Sequence, residues 1–86
     1  MKKLVKEVEN EGLISLLGEK VILFGLNYIY TGTLAGVNDT CVLLEDAKIV
    51  YETGELCATS FKDAQKLPNS HYVMLSAIES FAKSNK

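Results

Sequence analysis

Not one arginine occurs among the 86 residues of this chain. Arginine is the side chain best suited to bidentate phosphate and base contacts and to stacking on bases, so its absence counts against tight nucleic-acid binding by the usual means. Nine lysines against eleven aspartates and glutamates leave a formal net charge of −2. That balance supplies no global attraction for polyanions, and only local clustering of lysines can. Long apolar runs are missing as well. None approaches the roughly 20 residues that span a bilayer, and Met1-Lys2-Lys3-Leu4-Val5 runs straight into Lys6 and Glu7, leaving no apolar signal core. A cytoplasmic protein with no membrane attachment is expected. Cysteine is scarce: Cys41 and Cys57 lie far apart, with neither a Cys-x-x-Cys pair nor a nearby histidine, so metal-ligand spacing is absent. Both read as reduced, packed thiols, with no metal and no cofactor implied.

What is present describes one small, mainly β domain. An apolar fraction of 48% and seven aromatics, four Tyr and three Phe, exclude a disordered acidic tail. A domain of this size buries too little apolar surface to be more than marginally stable alone, so association is expected. From Lys2 to Gly18, apolar residues recur at three- and four-residue steps, interrupted by Asn10 and Gly12. This spacing predicts an N-terminal α-helix, frayed or in two pieces, closed by Gly18, with residues 1–12 as a charged extension. Lys20 to Leu26 is apolar on both faces and predicts a strand covered on both sides. A turn at Leu26-Asn27 leads into a second strand, Tyr28 to Val37, in which Gly32 and Gly36 mark sharp bending. Asn38-Asp39-Thr40 is the next turn, and Cys41 to Tyr51 the third strand, with Val42 and Leu44 on one face and Cys41 and Leu43 on the other. Residues 53–70 form a variable segment between the third and fourth strands, in which Leu56-Cys57-Ala58-Thr59 can extend the sheet and Pro68 stops what precedes it. Tyr72 to Phe81 reads as two short strands around a bend at Ser76-Ala77, and the tail from Lys83 should fray.

The residues with chemical potential mostly have structural explanations. His71 with Cys41 or Cys57 would suit nucleophilic catalysis, but nothing in the sequence brings them together. Gly32-Thr33-Leu34-Ala35-Gly36 lacks the lysine and helix of a phosphate loop. Glu45 and Asp46 are neighbours on a strand and so should face opposite ways, which speaks against shared acid-base work. Tyr28, Tyr30, Tyr51 and Tyr72 have the aromatic character that stacks bases, although tyrosines on strands more often pack against neighbours or subunits. No catalytic residue is assigned.

The order of these elements resembles the Sm-like (LSm, Hfq-related) family from about Leu13 to Phe81. Leu17-Gly18, Val21-x-Leu23, Gly32-x-Leu34-x-Gly36 and Leu44-Glu45-Asp46 are similar to its first motif, and the apolar spacing from Val73 through Ile78 to Phe81 to its second. The resemblance implies a small, strongly bent five-stranded antiparallel barrel of the SH3-like kind, preceded by a helix. It further implies a homo-oligomeric ring of six or seven subunits, non-catalytic and RNA-binding. In the family an Asp and an Asn after the second strand, with an Arg-Gly pair between the last two strands, hold a base. Here the Asp position falls on Asn38, the Asn position on Val42 or Cys41 according to the direction of counting, and Met74-Leu75 stands in place of Arg-Gly. Valine, thiol and thioether cannot reproduce two-sided recognition of a base edge. The candidate RNA contacts are therefore Asn38, Asp39, Thr40, Cys41 and Met74, and for the first three the plain reading is turn chemistry. Val73, Met74, Leu75, Ile78 and Phe81 are the candidate subunit interface. Single-stranded RNA is the expected partner. The alternative, favoured by the missing arginine and net acidity, is a ring-forming scaffold that binds proteins through residues 53–70.

Overall fold

A computed structural model of the chain describes residues 12–55 and 60–84. The expected helical extension over residues 1–12, apart from Gly12, lies outside the described residues, as do Leu56–Thr59 and the last two residues of the tail. The chain enters through a 3-10 turn, Leu13–Leu16, and continues as β1 (Lys20–Gly25), β2 (Ile29–Val37) and β3 (Cys41–Glu52). After the loop come β4 (Asp63–Lys66), β5 (His71–Met74), a second 3-10 turn (Leu75–Ala77) and β6 (Ile78–Lys83).

All the pairings are antiparallel. The sheet runs β4-β3-β2-β1-β6, with β5 also pairing on β3. β3 is long enough to hold two partners along one edge: residues 41–44 pair with β5 and 48–52 with β4. β4 is a departure from the five strands expected. It adds a sixth to the sheet, in a stretch with no apolar period, held by backbone pairing with β3. The described part of the expected helix is likewise corrected. Leu13–Leu16 makes one 3-10 turn, since Gly12 (φ 66) and Gly18 (φ 86) take left-handed backbone on either side of so short a stretch. Two backbone bonds fasten its exit to β2: Gly18 N–H donates to the Leu34 carbonyl at 2.8 Å, and Leu34 N–H to that of Glu19 at 2.9 Å.

The bend of the sheet has a local cause. The β2–β3 register slips between Thr31 and Thr33 and again between Leu34 and Gly36. At the first slip the extra residue is on β3, where Asp46 takes φ 50. Alternation fails there, and Glu45 and Asp46 are both exposed rather than divided between faces. Gly32 faces this bulge. A Cβ on it would lie 2.8 Å from the Glu45 carbonyl oxygen and 3.2 Å from the Ala47 Cα, so the strands approach this closely only with glycine. Gly36 is different: a Cβ there meets only the Leu43 Cβ, at 3.6 Å.

Most of the buried apolar residues gather in one core. Leu13, Val21, Leu23, Leu34, Val42, Leu44, Ala47 and Val73 form a single buried cluster, with Leu16, Tyr30, Val37, Leu67, Leu75 and Ile78 packed against it. Ile22, on the opposite face of β1, is buried too, so this strand is covered on both sides as its sequence predicts. No helix among the described residues is long and apolar enough to cross a membrane.

Candidate functional site

The β2–β3 turn is organised by one side chain. Asn38 Oδ1 accepts from Thr40 N–H at 2.8 Å, Thr40 Oγ1 at 3.1 Å and Cys41 N–H at 2.9 Å, while the Asn38 N–H donates to the Cys41 carbonyl at 3.0 Å. An asparagine that caps a turn in this way spends its acceptor internally. Its Nδ2 donor has no partner among the described residues and is the part left to meet a ligand.

The second 3-10 turn lies against this one. Cys41 is the register partner of Met74, and Leu75 N–H donates to the Thr40 carbonyl at 2.8 Å. Asn38, Asp39, Thr40, Cys41 and Met74 thus gather at one end of the sheet. They do not all share one surface. A depression of about 410 Å³ is lined by Asn38 and Asp39 together with Leu13, Ile14, Val37 and Leu75, whereas Thr40, Cys41 and Met74 are outside its lining. Asn38, Asp39, Thr40 and Met74 are exposed, and the Cys41 thiol is half-buried and free.

Leu13 and Leu75 also line an adjoining depression of about 450 Å³ with Ile78, Glu79, Ser80 and Phe81. Of the candidate interface residues, Met74 and Phe81 are exposed and Leu75 and Ile78 half-buried. Val73 is 4% exposed and belongs to the core, so it offers an edge only its backbone. Among the described strands β5 pairs only with β3, and β6 only with β1, which leaves one edge of each open.

His71 and Cys41 do not meet. They sit at opposite ends of the β3–β5 pairing, where His71 is opposite Leu44, three residues and about 10 Å along the strand from Cys41. The His71 ring instead stacks on Tyr30, centroids 5.3 Å apart, and Tyr28 meets Tyr30 edge-on at 6.4 Å. Tyr51 and Tyr72 are exposed. Among the described residues no group of three or more His, Cys, Asp and Glu is placed to hold a metal ion. The feature that sequence reasoning did not locate is a groove lined by four lysines, from positions 20, 48, 62 and 66. The separation of Lys20 and Lys48 from the other two along the chain hides it, and only the pairing of β4 on β3 sets Lys66 opposite Lys48.

No protein-family model matches the chain, and no curated protein matches it. Its functional reading rests on its own residues and geometry.

Proposed function

We propose that this chain is a non-catalytic, ring-forming RNA-binding protein of the Sm-like type, in which the family's base pocket has been replaced. The observation that carries the reading is the strand order β6-β1-β2-β3-β5, in which a single 3-10 turn, Leu75–Ala77, joins the two outermost strands. In this reading the bent sheet curls into a small barrel, and the open edges of β5 and β6 pair with those of neighbouring copies. Closed rings remove such edges, and exposed apolar side chains beside them, Met74 and Phe81, favour association over solvent. The turn at Asn38–Thr40 would then be repeated around the ring, presenting one Asn38 amide donor per subunit to a single strand.

Light scattering and fluorescence anisotropy test this together. A mass of six or seven times 9.5 kDa, with saturable and salt-sensitive binding of labelled oligo-U or oligo-A, is the expected result. Asn38→Asp keeps the three accepted bonds of the turn and removes the amide donor, so it should weaken binding without altering the mass. A monomer at micromolar concentration overturns the ring. An oligomer that binds no oligonucleotide at low salt overturns the RNA reading and leaves a scaffold for protein partners.

A further inference from the structure

We infer that the sheet face opposite the core carries a phosphate-binding groove built from Lys20, Lys48, Lys62 and Lys66, and, resting on the RNA-binding reading, that the backbone of a single strand supplies the phosphates. The register places these residues together. Ile22 pairs with Thr31, Thr31 with Lys48, and Lys48 with Lys66, which makes one continuous row across four strands. Paired residues in antiparallel strands project to the same face, and Lys20, two residues before Ile22, shares it. The core residues Val21 and Leu23 alternate with them and face the other way. Lys62 arrives from the residue just before β4. The result is a groove of about 490 Å³ in whose lining four lysines face one carboxylate, Asp63, beside the half-buried ring of Phe61.

Such a concentration of positive charge is unexpected on a chain of net charge −2. Four of the five lysines among the described residues line this one groove. Lys62 reaches Glu52 at 3.4 Å, an exposed pair that water screens. Among the described residues no ion pair engages Lys20, Lys48 or Lys66. Glu45, the register partner of Thr33 in the row of Lys20, is not in the lining. Lys48 and Lys66 stand directly opposite each other, an arrangement that disfavours the unliganded sheet and that an anion between them reverses. The choice of lysine also specifies the kind of contact. An ammonium binds phosphate as a point charge without the planar fork that reads a base edge, so the groove should hold backbone and ignore sequence.

Anisotropy titrations of labelled oligo-U and oligo-A across a salt series, with wild type, K48Q/K66Q and K83Q, test the inference. Lys83 is the fifth described lysine and lies outside the groove, on Glu19 at 3.4 Å. The double substitution should flatten the slope of log affinity against log salt by about 1.4, roughly 0.7 for each phosphate that a single strand then leaves unneutralised. Affinity should fall equally for both oligomers, and K83Q should keep the wild-type slope. Free tripolyphosphate, followed by amide chemical shifts, should perturb residues 48 and 66 in the wild type and not in the double variant. Unchanged oligonucleotide binding in K48Q/K66Q overturns the groove as the backbone site and leaves the RNA reading intact. Tripolyphosphate binding at these residues without oligonucleotide binding keeps the phosphate site and overturns the RNA reading. Absence of both overturns both.

Discussion

In the meander of β1, β2 and β3 the largest side chains fully withdrawn from solvent are Leu23, Leu34, Leu44, Val21 and Val42, whereas the β5–β6 pair buries Val73 and leaves Met74 and Phe81 exposed. The two regions belong to one sheet and divide its work. The meander holds two long pairings, pinned by a bulge that only glycine can face, and supplies most of the core. β5 and β6 hang on the two ends of that meander by one edge each, and among the described strands their other edges are open. Burial, and with it folding energy, therefore concentrates in the meander; in the proposed ring, association would fall to β5 and β6, a separation that would allow the second to change while the first persists.

The sharpest way to break this comparison is to open a cavity in the meander. Leu23→Ala removes a side chain with no solvent exposure from the centre of β1 and should cost about 2–5 kcal/mol, read from the urea midpoint. Against the roughly 5–15 kcal/mol that stabilises an ordinary domain, this brings a chain of 86 residues close to unfolding. A cost below that range would mean that the core is less dependent on the meander than its burial indicates. A smaller effect separates two glycines of the same strand. Gly32→Ala drives a Cβ against the Glu45 backbone and should cost about 1–3 kcal/mol as strands shift to admit it. Gly36→Ala meets only ordinary contact and should be neutral or stabilise by about 0.4–1 kcal/mol, because alanine restricts the unfolded chain. Equal effects at both positions would show that the bend does not depend on the bulge opposite Gly32.

Much of the meander was legible because its physical signals are local. Alternation of Val42 and Leu44 against Cys41 and Leu43, the polar turn Asn38–Thr40 and the apolar run of β1 each fix an element without reference to distant residues. β4 was not legible for the opposite reason. Asp63-Ala64-Gln65-Lys66 carries one half-buried side chain, and its strand conformation comes from backbone bonds to β3 that no pattern in its own residues announces. The 3-10 turn at Leu13–Leu16 shows a third case, since three-residue apolar spacing fits a helix of either kind and only the left-handed glycines on either side limit it to one turn. At the candidate site, the turn residues and their nearness to Met74 follow from the order of strands. The lysine groove does not, because its side chains come from β1, β3, the loop and β4, and the strand that unites two of them was the one that sequence concealed.

The smallest expected effect on folding tests the other half of the comparison. Met74→Lys and Phe81→Lys alter exposed side chains on β5 and β6, so each should change the unfolding free energy of the separated chain by about 0.5 kcal/mol or less. Charge at an open strand edge discourages pairing with another copy, and the mass measured by light scattering should therefore fall although the fold persists. Concentration separates the two contributions. If subunits associate through these edges, the wild-type melting temperature rises with protein concentration by mass action, and that of the lysine variants stays constant. A drop in stability that is equally large at every concentration would place Met74 and Phe81 in the folding core, and the division between meander and edge would not hold.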